Sequence, residues 1–479
     1  MTDAFDKGKM TVNRGSKFLK DIGIYAIGNI GSKIITFLMV PLYTYFIDPS
    51  DFGYYDLCLT VCFLLMPFVT LQLRDGAFRF LLDCDDSVQQ KRIVSFVAHT
   101  LVTTLALAVL LALGISVFTH IRYLGYIVGL LIAMSLQEVY SQVFRGLGNN
   151  RAFVAVGILS ALGIGVFSII FVVKLKWGIK GILLANILAR ILALVIVELR
   201  VKLLTRNTRW HINTRKVGRD IIRYTLPLLP GSLCWWLTGS SDRWFISHFL
   251  SFGDNGVYAV AIRFTGIIYT LAMIFYQAWQ ETAILQYNSP DRNRFFSRML
   301  NSYIFLLAMI FIGYVFMLKV CYGWRLVAVN YQESLNYIYP LGLSAVIFAI
   351  AAFFDMGYQC SKDTKRTLPA IVLSAVINVL LNFLLIKPLG VYGVITTQVI
   401  TYLVLVIYRW HDMKRYLVLK IEPRTAIPVI VMLLSALPFY HSRSTAIDII
   451  YPIAVIILLA WLYRNELRDL WQTKITKTR

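Results

Sequence analysis

The chain has 479 residues, 58% of them hydrophobic and only 15% charged, with 47 Lys and Arg against 25 Asp and Glu for a net charge of +22. Soluble domains carry roughly a quarter charged residues and about twenty apolar residues cross a bilayer core, so a soluble multidomain protein is excluded and about fourteen crossings are accommodated. The cationic surplus favours anionic partners and acidic membrane surfaces; nucleic acid is not among the expected partners.

The first twenty residues carry five basic groups, and the apolar run that begins at Ile22 is too long for a signal-peptide core, so the first span is expected to be retained. Apolar runs of span length follow at about 22–47, 53–73, 93–118, 123–144, 152–173, 178–199, 220–250, 255–280, 299–318, 336–357, 367–386 and 390–408, with a shorter pair at 426–440 and 446–463. Most Lys and Arg fall in the two termini and the even-numbered connections, which places both termini in the cytoplasm. The chain divides into an N-terminal lobe (1–200, spans 1–6), a basic cytoplasmic linker (201–219), a C-terminal lobe (220–410, spans 7–12) and a last pair of spans with a basic tail (411–479). Pro41, Pro67, Pro227 and Pro230 lie in or at the start of spans, where each removes a backbone hydrogen bond and supplies a bending point.

The two lobes repeat each other. Asp51, Gly53 and Tyr55 match Asp254, Gly256 and Tyr258; Arg151 with Leu159-Ser160-Ala161 matches Arg366 with Leu373-Ser374-Ala375; Gly178 and Gly181 match Gly390 and Gly393. A unit with an even number of spans enters the membrane in the same direction twice, so the repeat is parallel, and two such bundles form a central cavity that rocking exposes to one side at a time. The expected fold is an all-α membrane protein: two parallel six-helix lobes around a central cavity, plus two C-terminal helices.

Ionisable residues inside spans are costly and usually face a watery cavity or a partner. Those near the bilayer centre are Lys33, Glu138, Arg190, Asp242, Arg243, Arg263 and Asp355, with His99 as a further titratable group. Asp242 and Arg243 are neighbours on a helix and point about 100° apart, so they do not pair with each other. Asp242 is expected either to pair with a cation from another helix, such as Arg263 or Lys33, or to take part in ion coupling with Glu138 and Asp355. Lys33 and Arg243, and after them Arg190 and Arg263, are candidates for a substrate anion. Arg74 and Arg79, just beyond the second span, suit a cytoplasmic entrance for an anionic headgroup, because the guanidinium fork binds phosphate in two places.

Several chemistries lack support. No Walker phosphate loop, HExxH, GxSxG or GxGxxG is present. Asp83-Cys84-Asp85 spells a glycosyltransferase-like DxD, but no connection is long enough to hold a soluble catalytic domain. Six separate cysteines outside any CxxC pair support neither a disulfide framework nor a zinc site. Neither a catalytic role nor a metal or cofactor is expected, and proton or sodium coupling stays open.

The stretch from Tyr25 through Gly28, Gly31 and Lys33, then Pro41 to Tyr55, resembles the opening of the bacterial polysaccharide export proteins, the Wzx-type O-antigen flippases. Leu226 to Pro230, Ser241-Asp242-Arg243, Gly256 to Ala261 and Gln277 to Trp279 resemble that family's later spans. The resemblance implies the fold of the multidrug/oligosaccharidyl-lipid/polysaccharide (MOP) superfamily in the bacterial cytoplasmic (inner) membrane. It also implies a substrate, undecaprenyl-diphosphate carrying an oligosaccharide, moved from the inner to the outer leaflet, with Lys33 and Arg243 matching the cavity cations. A polysaccharide polymerase and chain-length machinery are the partners it suggests. The last two spans look more like the lipid II flippase, which stays an alternative beside a MATE-like drug exporter and a membrane glycosyltransferase or ligase.

Overall fold

A computed structural model describes residues 37–441 except Asp85, residues 209–212 and Lys362, together with Ile35, Ile450, Tyr451, Ala454 and Val455. Lys33, the first part of span 1 and nearly all of span 14 lie outside the described residues.

Every regular element among the described residues is helical. The helices are α1 (Phe37–Phe46), α2 (Pro49–Thr70), α3 (Leu73–Leu82), α4 (Ser87–Phe118), α5 (Leu124–Gly146), α6 (Asn150–Ser168), α7 (Gly178–Val201), α8 (Leu203–Asn207) and α9 (Arg215–Thr225). They continue with α10 (Leu229–Gly239), α11 (Asp242–Phe249), α12 (Phe252–Gln286), α13 (Arg292–Gly323), α14 (Ser334–Cys360), α15 (Thr367–Leu389), α16 (Val391–Met413) and α17 (Pro423–His441). Eleven of them are long and apolar enough to cross a membrane. They correspond to the expected spans except the first, the seventh and the fourteenth.

The seventh span is broken. Leu226-Pro227-Leu228 forms a 3₁₀ turn between α9 and α10, and Pro230 opens α10. Proline has no N–H to continue the α-helical ladder, and after α10 the amides of Ser240 and Ser241 both turn back to the carbonyl of Trp236. The helix restarts at Asp242, so the one fully buried carboxylate of this span sits in the first turn of a new helix. The short helix α3 was not foreseen; it follows Leu71 and Gln72, which turn the chain with φ values of 50° and 54°. α6 ends in a π-helical turn, Ile169–Lys174.

The repeated residues do equivalent work in both copies. Gly178 and Gly390 adopt φ values of +53° and +58° at the starts of α7 and α16, a left-handed region that glycine enters without strain. Gly53 of α2 and Gly256 of α12 lie at a helix crossing so close that a Cβ on Gly53 would come within 1.8 Å of the Phe252 carbonyl oxygen, and one on Gly256 within 1.9 Å of the Pro49 carbonyl oxygen. Asn255 donates from Nδ2 to the Gly53 carbonyl at 2.7 Å. The Tyr331 hydroxyl reaches the Ile47 carbonyl at 2.9 Å, and the Ala328 amide reaches Thr44 Oγ1 at 3.4 Å. These contacts close one end of the bundle. The opposite end carries α3, α8, α9 and the basic connections. Leu107, Leu110, Leu111, Val117 and Phe118 of α4 are exposed, the pattern of a helix whose outer face meets lipid.

Candidate functional site

A hollow of about 440 Å³ is walled by helices of the first lobe, with Tyr43, Tyr55, Gln137, Glu138, Asn186 and Arg190 among its lining, and by Arg263 of α12 from the second. A second hollow of about 280 Å³ is lined by Thr70, Gln72, Arg74, Glu138, Ser232 and Trp235. Phe63 and Glu138 line both. The two hollows therefore adjoin, and together they run from mid-bundle toward the basic end.

α7 carries Asn186 and Arg190 one turn apart, which puts both on one face. Asn186 donates to the Tyr55 hydroxyl at 3.0 Å, and Arg190 donates from Nη1 to Gln137 Oε1 at 2.6 Å. Gln137 is held in turn by its Nε2 bond to Ser160 Oγ at 2.9 Å, so its oxygen faces Arg190. Nε of Arg190 is buried and has no hydrogen-bond partner among the described residues. An orphaned donor on a permanently charged group in a hollow invites an anionic oxygen. Arg263 of α12 lies with its guanidinium 4.6 Å from the centre of the Phe52 ring and 5.3 Å from that of Tyr43. Stacking on aromatic faces orients this cation and leaves its edge N–H groups available.

The structure distributes the remaining expected residues elsewhere. Arg243 is taken up by Asp56 of α2, Nε to Oδ2 at 3.1 Å, with both side chains 13% exposed, and it also donates to the Gly239 carbonyl at 3.2 Å. Asp242 is fully buried; it accepts from the Tyr258 hydroxyl at 2.9 Å and from Asn382 Nδ2 at 3.4 Å, and has no ion-pair partner among the described residues. Neither Arg263 nor Arg243 pairs with it. Beside it, Asn382 also donates to Asn378 Oδ1 at 3.0 Å, and Asn382 Oδ1 and Asn378 Nδ2 have no partner among the described residues.

Asp355 pairs with Arg409 at 3.0 Å, and Arg409 also donates to the Ala351 carbonyl at 2.8 Å. Glu138 pairs with Arg74 at 2.5 Å, where the two hollows meet. Arg74 thus lines the second hollow, whereas Arg79 pairs with Asp83 at 2.8 Å among exposed side chains. Asp83 ends α3, and Asp86, directly after the Asp83-Cys84-Asp85 triplet, caps α4 by accepting from the amides of Val88 and Gln89.

Two ion-pair partners of the expected charges, Asp56 and Arg409, escaped the sequence reading. Asp56 stands one turn after Gly53 at the start of span 2, and Arg409 stands one residue past the expected end of span 12. Asp56 lies near one end of its span, away from the bilayer centre, and Arg409 just beyond a boundary drawn by hydropathy; buried Leu405 one turn before Arg409 is the signal that includes the latter on the packed face.

Residues 18–280 match the family described as Polysaccharide biosynthesis protein. No curated protein matches the sequence. Among solved structures, the chain is similar to the lipid II flippase MurJ in its inward closed conformation, with a TM-score of 0.71 and 14% identity over 94% of this chain and 100% of that one. An inward-facing multidrug resistance MATE family transporter of the MOP superfamily gives a TM-score of 0.64 and 13% identity over 82% and 98% of the two chains. A MOP superfamily transporter from Pyrococcus furiosus, described as having a binding pocket of reverse polarity, gives 0.55 and 14% identity over 83% and 96%. Identities this low show the fold. The match of more than half of the chain to one family, on a bundle with this fold, shows that the protein belongs to the polysaccharide biosynthesis protein family and is built like the transporters of the MOP superfamily.

Proposed function

We propose that the protein is a flippase for an oligosaccharide linked through diphosphate to undecaprenol, an O-antigen or similar repeat unit, which it turns from the inner to the outer leaflet of a bacterial cytoplasmic membrane. The observation that carries this reading is the hollow with Arg190 and Arg263 in its walls, continuous with the basic end of the bundle and closed at the other. By the positive-inside rule the basic end is cytoplasmic, and so are both termini. The spans before and after the basic linker then act as the two lobes that rock about the sealed crossing.

In this reading the headgroup enters past Arg74, whose partner Glu138 exchanges places with an incoming phosphate, and the diphosphate is held by Arg190 and Arg263. The polyprenyl tail stays in lipid, because moving it through a polar hollow forfeits its favourable burial. A potential negative inside drives an anion outward by about 2.3 kcal/mol per charge per 100 mV. Of the two cations the sequence favours for this role, Lys33 lies outside the described residues and Arg243 joins α11 to α2 through Asp56. Asp242, with the Asn378 and Asn382 amides of α15 beside it, is proposed as the site of a coupling proton or sodium ion. Partner polymerase and chain-length proteins would take up the product outside.

The deciding experiment places purified protein in vesicles and follows the transfer of fluorescently labelled undecaprenyl-diphosphate oligosaccharide between leaflets. Transfer that requires the protein supports the reading. Transfer of lipid II in preference to an oligosaccharide repeat would reassign the glycan, and turnover of either lipid into a new glycoside would replace the flippase by an enzyme.

A further inference from the structure

The basic end holds a third hollow, of about 600 Å³, away from the path just described. Arg92 at the start of α4 forms one wall, and Arg215, Lys216 and Arg219 of α9 form the other, with Gln89, Asn213 and Asp220 beside them. No ion-pair partner is found for any of the four cations among the described residues. Elsewhere at this end Arg74, Arg79, Arg366 and Arg415 pair with carboxylates; here four cations line one hollow with Asp220 as the single acidic side chain among its walls.

The packing of α9 explains why the four converge. Ile221 is fully buried against the cluster that contains Leu73, Ile93 and Val94. Gly218 lies flat on the ring of Phe96, where an added Cβ would come within 2.3 Å. α9 is thereby fixed across the beginnings of α3 and α4, and its charged face is left pointing toward Arg92. Position in the membrane follows from the sequence on either side. The apolar run of α4 begins at Ile93, directly after Arg92, and α9 leads through exposed Tyr224, Leu226 and Leu228 into α10. The hollow thus stands where lipid-facing apolar surface gives way to charge, the level of lipid phosphates.

We propose that this hollow is a binding site for the phosphate of an anionic lipid, held between Arg92 of the first bundle and Arg215 and Arg219 of the linker helix. Arginine forks match phosphate oxygens in two places. Gln89, Asn213 and Asp220 suit a headgroup that carries hydroxyls, since they offer both donors and acceptors at the rim. Phosphatidylglycerol has this chemistry, and the diphosphate of a polyprenyl carrier shares the phosphate part. The site does not depend on what the central hollow carries.

The test uses full-length protein in detergent, with native mass spectrometry reading phosphatidylglycerol retained against phosphatidylcholine. The triple variant R92Q/R215Q/R219Q is compared with R292Q/R294Q/R298Q, which removes the same charge from the start of α13 at the same end of the bundle. Each basic group near a lipid surface contributes up to roughly a fivefold change in occupancy, so the first variant should bind phosphatidylglycerol roughly tenfold to a hundredfold more weakly and the second nearly as the parent does. Unchanged retention in the first variant, or an equal loss in both, overturns the site. The single variant R219Q, expected to lose roughly fivefold, keeps the test open if the triple variant misfolds. Displacement of phosphatidylglycerol by added polyprenyl diphosphate would identify the carrier as the source of the phosphate, and its absence would leave the bilayer phospholipid.

Discussion

The hollow beside α7 and the polar cluster beside α11 occupy the two repeats, and they treat charge in opposite ways. In the first, the Tyr55 hydroxyl accepts from Asn186 on a wall shared with Arg190, next to open space. In the second, the matching Tyr258 donates its hydroxyl to Asp242, which is sealed from solvent with Asn378 and Asn382. Duplication supplied the same tyrosine at the same place on the helix, and the neighbouring helices decided whether it would face a cation in a cavity or a carboxylate in a packed interior. On the proposed function the anion site and the coupling-ion site are thereby kept apart, while one close crossing, Gly53 on Gly256, links the two bundles.

The sharpest way to break this division is at Arg190. Arg190→Ala should lower the rate of lipid-linked sugar transfer by about a hundredfold, and Arg190→Lys should restore part of it, because lysine keeps the charge but loses the fork. Full transfer by Arg190→Ala would show that the first hollow is not the anion site. Next in size is the crossing. Gly53→Ala or Gly256→Ala forces apart a contact with no room for a methyl group, and an overpacking penalty of about 1–3 kcal/mol should lower the population sealed at this end by roughly tenfold. Thiol labelling of a Tyr331→Cys reporter, faster in the alanine variants, measures it.

The link between the bundles can be probed through its ion pair. Asp56→Asn or Arg243→Gln leaves a nearly buried charge alone and should cost about 3 kcal/mol in thermal unfolding, with the double variant closer to the parent. Strictly additive losses would show that the two residues do not act as a pair. Asp242→Asn conserves shape, so the fold should survive, while the dependence of transfer on sodium or on pH should flatten and the rate fall roughly tenfold if a charge-assisted contact of about 1.5 kcal/mol is lost. Retained ion dependence would move coupling away from the second repeat.

The smallest effect belongs to Asp363, outside the spans, whose carboxyl is held below its ordinary range by the Tyr416 hydroxyl and then by Arg366. A depressed carboxylate adds stability above its unfolded pKa of about 4 and loses it as the pH falls through the folded value. Unfolding curves taken below about pH 4 should therefore separate Tyr416→Phe from the parent less than curves taken near neutrality.

What the sequence determined by itself was local or additive: apolar runs of span length, the excess of basic residues in alternate connections, the prolines that break the seventh span, and the repeated glycines and tyrosines. Each follows from hydropathy, chain length or backbone freedom, which need no neighbour to be read. The tertiary structure decided which charges meet. Arg190 and Arg243 looked alike as arginines in apolar helices, yet one faces a hollow with a donor to spare and the other is neutralised by Asp56, a residue 187 positions away. Asp355 found Arg409 and Glu138 found Arg74 in the same manner. Helical periodicity gives the spacing of side chains around an axis, but the rotation of that axis against its neighbours depends on how all the helices pack, and a charge in lipid is settled only by the partner or the space that packing places beside it.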